Sequence, residues 1–193
     1  MLLDICFGTR SAWKILALFG ETPGKALSRR NIQQFTKLGN KALSKALLLM
    51  ERCDVLRTKK IGRTTYYTPN LANAFVTQAF ELARLEREAL NNLDPTTVNI
   101  LREFVYELTN INFENIQRIT LFGSRAKRTD HAGSDIDVAI LMREQDPSDE
   151  LLITATIDHI RKRFGTEIQP HYYTAEEKGP LLLEMKKDGV NLL

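Results

Sequence analysis

The stretch ITLFGSRAKRTDHAGSDIDVAIL, Ile119 to Leu141, decides how the rest of the chain is read. Ile119, Leu121 and Phe122 form an apolar run that Gly123-Ser124 breaks. Ile136, Val138 and Ile140 recur at period two, so they share one face of a strand, and Asp135, Asp137 and Ala139 share the other. Two carboxylates at i and i+2 of a strand point the same way, and like charges that close repel unless a cation lies between them. Hard oxygen ligands suit Mg²⁺ or Mn²⁺. Gly123-Ser124 offers a turn without a side-chain barrier, a hydroxyl, and backbone N–H groups at the start of a short predicted helix. Such groups hold phosphate oxygens.

Gly123-Ser124-Arg125-Ala126-Lys127-Arg128, then Ser134-Asp135-Ile136-Asp137, resembles the signature of the DNA polymerase β nucleotidyltransferase superfamily. The closer resemblance is to its minimal nucleotidyltransferases, whose motif runs Gly-Ser-Arg-Ala-Arg-Gly, a short loop, then Ser-Asp-Ile-Asp. Arg128 stands where that family has glycine. The resemblance implies transfer of a nucleoside monophosphate from a nucleoside triphosphate to an acceptor. Asp135 and Asp137 would hold one or two Mg²⁺ ions, and Gly123, Ser124, Arg125 and Ser134 would contact the nucleotide. The family adds a third carboxylate on the next strand. Aligning Glu167-Ile-Gln-Pro-His with that strand puts Gln169 at the position. Glu167 lies two residues earlier on the same strand face, about 6–7 Å away, and is the candidate substitute. Some minimal nucleotidyltransferases act as antitoxins on a partner toxin, so a toxin-like protein partner is one expectation.

The chain has 193 residues and a net charge of +3, enough length for one large domain or two small ones. The charge is unevenly spread. Residues 1–70 hold 13 Lys/Arg and 4 Asp/Glu, a balance of +9, against −6 for the remainder. A basic front and an acidic rear point to two domains with different partners. No apolar run is long enough for a membrane span. MLLDICF lacks the pattern of a signal peptide. Cys6 and Cys53 have no ligand-spaced His or Cys beside them, so free thiols in a cytoplasmic protein are expected.

The basic front reads as helix, helix, turn, helix, hairpin. A helix is predicted over Ser11–Phe19, and Ser28 is placed as N-cap of the next. Leu38-Gly39-Asn40 turns into a helix from about Lys41 to Cys53, with Leu43, Leu47 and Met50 inward and Lys41, Ser44, Lys45 and Arg52 outward. Leu48 is an apolar intruder on that outer face. Two β-prone runs around Gly62-Arg63 read as a hairpin. This order resembles the winged helix-turn-helix domain of small prokaryotic regulators. That resemblance makes Asn40, Lys41, Ser44 and Lys45 the start of a major-groove helix, and Arg57, Lys59, Lys60 and Arg63 a phosphate-contacting wing on duplex DNA. The alternative is a protein-docking module with solvated lysines.

Leu71, Phe75, Ala79, Leu82, Leu85, Ala89 and Leu93 trace one helical stripe, read as a connecting helix that either seams a homodimer or packs on its own domains. Helices are predicted over Thr96–Leu108 and Pro147–Phe164, the latter with Leu151, Ile157, Ile160 and Phe164 as its apolar marks. A strand follows over Glu167–Tyr173, then a helix over Ala175–Lys187. The expected architecture is α+β or α/β. It comprises a winged helix domain over 1–70, a connecting helix over 71–94, and a nucleotidyltransferase domain with a small mixed sheet over 95–193. Three functions stay open: a DNA-binding transferase, a regulator that uses the second domain as a nucleotide sensor, and an interaction module with neither activity.

Overall fold

The computed structural model describes residues 7–22, 24–111, 114–131, 133–175, 182, 185 and 187–193. The chain divides into two compact units, Met1–Glu88 and Ala89–Leu193.

The first unit runs α1 (Arg10–Glu21), β1 (Leu27–Ser28), α2 (Arg29–Thr36), α3 (Asn40–Arg52), β2 (Leu56–Ile61), β3 (Thr64–Pro69) and α4 (Ala74–Ala89). Its antiparallel sheet has the order β1-β3-β2. Three helices with a terminal hairpin form a winged helix. Ser28 caps α2 as expected: its side chain accepts from the Asn31 N–H, and the Asn31 side chain accepts from the Ser28 N–H. Gly62 (φ 59) turns the hairpin at the first central position, where a two-residue loop favours glycine. Leu43, Leu47 and Met50 of α3 are buried against Ile15, Leu16 and Phe19 of α1 and Ile32 of α2. The two-residue strand β1 was not anticipated; a pair this short leaves no periodicity to read.

Helix α4 departs from the expected stripe. It adds Val76 and Ala79 to the first core, while Phe75, Leu82 and Leu85 stay half exposed. Asn70 and Asn73 explain the rotation. Both side-chain amides donate to the Asp54 carbonyl, and Asn73 Oδ1 accepts from the Phe75 N–H. They fix where the helix starts and therefore which face turns inward. The helix also stops short of Leu93, because Asn91 and Asn92 both adopt the left-handed conformation (φ 54 and 51).

The second unit runs α5 (Pro95–Thr109), β4 (Ile116–Phe122), α6 (Gly123–Lys127), β5 (Ile136–Met142), α7 (Pro147–Phe164), β6 (Ile168–Thr174) and β7 (Val190–Asn191). The sheet order is β6-β5-β4-β7, with β5 and β6 parallel and the other pairs antiparallel. One sheet face, with Ile119, Leu121, Ile136, Val138, Ile140 and Ile168, packs with α5 and α7 into a single core. Asp94 caps α5 by accepting from the Thr96 and Thr97 N–H groups. Leu151 is 71% exposed rather than core-facing, since Ile153, Ile157 and Ile160 carry the inward line of α7. Arg163 of α7 pairs with Glu103 of α5 at 2.6 Å, and Glu103 is buried. Of the helix expected over 175–187, most lies outside the described residues, as does Cys6; Cys53 is a free thiol. No helix among the described residues is long and apolar enough to cross a membrane.

Candidate active site and nucleic-acid interface

The sheet assembles the polar face of the motif by register. Phe122 at the end of β4 lies opposite Asp137 of β5, and Asp137 lies beside Gln169 of β6. Ala139 and His171 form the next row, where the His171 ring meets Phe122 edge to face at 5.2 Å. Asp135 precedes β5, two residues from Asp137. The amide of Gln169 donates to Asp135 Oδ2 at 2.6 Å. An ionised carboxylate only accepts, so the glutamine must present its NH₂ there. Both aspartates are partly accessible.

Gly123 shows why the motif needs glycine. Its φ is 72, and a Cβ at that position would sit 2.3 Å from Asp137 Oδ2. A side chain there would strain the backbone and collide with the carboxylate. The chain then enters α6, whose Ser124 carbonyl accepts from the Thr129 N–H at 2.9 Å.

Arg125 is engaged within the motif loop. Its side chain is only 13% exposed. The guanidinium donates to the Ser134 carbonyl at 2.6 Å, to the Asp135 carbonyl at 3.2 Å and to Thr97 Oγ1 at 2.7 Å. Asp130 lies 3.5 Å away. Arg125 therefore ties the motif loop to the start of α5 and holds the Asp135 backbone. Ser134 is also engaged in the loop: its hydroxyl accepts from the His131 N–H at 2.9 Å. No sequence signal separated a buried Arg125 from an exposed one, because the cation alternates with small residues on a five-residue helix.

Arg128 closes α6 at φ 58, the left-handed conformation that glycine adopts without a steric penalty. Its guanidinium donates to the carbonyl and to the side-chain oxygen of Asn91. The departure from the family motif is thus a residue in a glycine conformation, held by its own side chain. Glu167 stands apart from the aspartates in its contacts: its carboxylate faces Arg161 at 3.4 Å. His131 is an exposed loop residue, and His159 pairs with Glu107 across α7 and α5 at 2.8 Å.

Among the described residues, no group of three or more His, Cys, Asp and Glu side chains could hold a metal ion. Among the described residues of the motif face, Asp135 and Asp137 supply the carboxylate oxygens. Mg²⁺ is commonly held by one or two carboxylates with substrate phosphates completing the shell, so this donor set fits one such ion.

Residues 107–193 match the family model described as Polymerase beta, Nucleotidyltransferase. Every residue of the aspartate, glycine and glutamine constellation lies inside that nucleotidyltransferase match. No curated protein sequence matches the chain. Among solved structures, reduced HlyU from Vibrio cholerae N16961 is similar at 23% identity, over 42% of this chain and 80% of that one, with TM-score 0.36. A toxin-antitoxin with AMP-PNP is similar at 22% identity, over 47% and 70%, with TM-score 0.35. TrmBL2, an archaeal chromatin protein, is similar at 14% identity, over 96% and 69%, with TM-score 0.29.

The winged helix presents the second candidate surface. Lys41, Ser44, Lys45 and Arg52 of α3 are exposed, as are Arg57, Lys59, Lys60 and Arg63 of the hairpin. The strand alternation separates the wing charges. Arg57 and Lys59 share a face, Lys59 opposite Tyr66, while Lys60 lies on the other face opposite Thr65. Asn40 is exposed but occupied: its Oδ1 accepts from Gln33 at 3.0 Å and, more weakly, from Arg29. It fixes the turn between α2 and α3.

Proposed function

We propose that this chain is a DNA-binding protein carrying a Mg²⁺-dependent nucleotidyltransferase domain that transfers a nucleoside monophosphate slowly. In this reading, residues 1–70 contact DNA, 71–94 connect, and 95–193 bind and react the nucleoside triphosphate. The observation that carries it is the aspartate pair at a glycine turn: Gly123 passes too close to the Asp137 carboxylate for any side chain, and Asp135, two residues before Asp137, accepts from the Gln169 amide. Asp135 and Asp137 would hold the cation, which would neutralise the triphosphate and stabilise charge on its oxygens. Gly123 lets the chain pass close to the carboxylate, and Ser124 offers its hydroxyl to phosphate oxygens. Arg125 is a positioning residue that orients Asp135 through the loop carbonyls. In the transfer, an acceptor hydroxyl oxygen bonds to the α-phosphorus, the bond to the bridging oxygen breaks, and pyrophosphate leaves. The hydroxyl proton passes to solvent water, because Gln169 is a neutral amide that cannot take it, and this slows the step.

A second reading follows from that same glutamine: a regulator in which the domain binds nucleotide as a sensor without turnover. Its support is the Gln169 amide on Asp135 at 2.6 Å, where the family resemblance calls for a carboxylate.

Calorimetric titration and pyrophosphate release on a permissive acceptor test both. Wild type should bind nucleotide only with Mg²⁺ and release pyrophosphate slowly. Gln169→Asp should raise that rate by about a hundredfold, the lower end of what a positioned base contributes. Release that stays at zero in both proteins despite tight binding selects the sensor. Brisk wild-type turnover abolished by Glu167→Gln would move the third carboxylate to Glu167.

A further inference from the structure

Leu48 has no place in either core. It is 50% exposed, in the middle of the outward face of α3, while Leu43, Ala46, Leu47 and Met50 fill the inward face. Its neighbours one turn away on that face are Ser44, Lys45, Glu51 and Arg52, all exposed. Glu51 is turned back to the wing, accepting from Thr58 Oγ1 at 2.8 Å. The remaining surroundings are a hydroxyl and two cations, with Lys41 two turns before.

A lone leucine set between Lys45 and Arg52 is a poor match to a protein partner, because the centre of a protein interface is depleted of charge and built from adjoining apolar groups. It matches the major groove of duplex DNA. The groove walls are phosphates, which attract Lys41, Lys45 and Arg52. On its floor the thymine C5-methyl is the apolar group among the hydrogen-bonding edges. Leu48 lies seven residues from Lys41, about 10 Å along the helix and so about three base-pair steps.

We propose that Leu48 is a specificity-determining residue that reads a thymine methyl in the major groove. The inference rests on the DNA-binding reading of the winged helix. Lysines and arginines give affinity that ignores sequence, and Leu48 gives preference for thymine at one position.

The full-length protein is used to enrich duplexes from a random-sequence pool, and the best duplex is then made with each thymine replaced singly by deoxyuridine, which lacks only the methyl. One replacement should weaken wild-type binding about fourfold, the effect of withdrawing one buried methyl group. The same replacement should leave Leu48→Ala unchanged, and both proteins should keep the same salt slope. Alanine favours an exposed helix site, so the variant keeps its fold. Binding that tolerates every deoxyuridine, or that loses equally in both proteins, overturns the role of Leu48 while leaving DNA binding intact. Absence of binding to any duplex at low salt overturns the DNA-binding reading and this inference with it.

Discussion

The motif of the second unit and the wing of the first carry their charges in opposite ways. Around Asp135 and Asp137 the parts constrain one another: the Asp137 carboxylate leaves no room for a side chain at Gly123, Gln169 donates to Asp135, and Arg125 donates to the loop carbonyls. On the wing, Arg57, Lys59, Lys60 and Arg63 stand in solvent along a two-stranded hairpin. A fixed, partly enclosed arrangement can orient a cation and a phosphate. A row of solvated cations can neutralise a polyanion without fixed geometry. Changes should therefore be large and non-additive in the motif, and small and additive on the wing.

The largest effect is expected at the aspartates. Asp135→Ala with Asp137→Ala should abolish Mg²⁺-dependent nucleotide binding without lowering stability, since two close like charges are removed. Calorimetry with nucleotide and Mg²⁺, beside a thermal melt, checks both halves. Unchanged affinity would erase the contrast, because the motif would then be no more specific than the wing.

Next comes Arg125→Met. It should destabilise the protein by about 2–3 kcal/mol, because the Ser134 and Asp135 carbonyls lose a mostly buried charged donor. It should also weaken nucleotide binding, although Arg125 touches no nucleotide in this reading. Urea denaturation and titration on the same variant measure the two. A stable variant with weakened binding would instead make Arg125 a direct ligand.

The smallest effect is on the wing. Lys59→Ala with Lys60→Ala should change stability by no more than about 0.5 kcal/mol, as exposed charges away from partners do. It should flatten the slope of log K against log salt for duplex DNA by about one to two units. Binding isotherms from low to moderate salt show the slope, and a loss confined to one DNA sequence would mean that a lysine reads bases.

The sequence alone established the order of the longer elements, because it depends on local signals, and missed the two-residue strands β1 and β7. Period-two alternation marked β5, Ser28 marked the start of α2, and Gly62-Arg63 marked the hairpin turn. The aspartate pair was legible from its spacing, but only Asp137 lies on β5; Asp135 stands one residue before the strand, where the Gln169 amide and the Arg125 guanidinium hold it. Tertiary structure decided which of several equivalent faces or partners each residue took. The stripe of α4 was periodic, yet the amides of Asn70 and Asn73 on Asp54 set its rotation and left Phe75, Leu82 and Leu85 in solvent. Arg125 and Lys127 look alike in the motif, but only a folded loop offers the Ser134 and Asp135 carbonyls that draw Arg125 inward. The family alignment already puts Gln169 at the third position; the parallel register of β5 and β6 is what seats it, and not Glu167, beside Asp137. Register comes from packing many side chains at once across a crossover, and no window of sequence contains that sum.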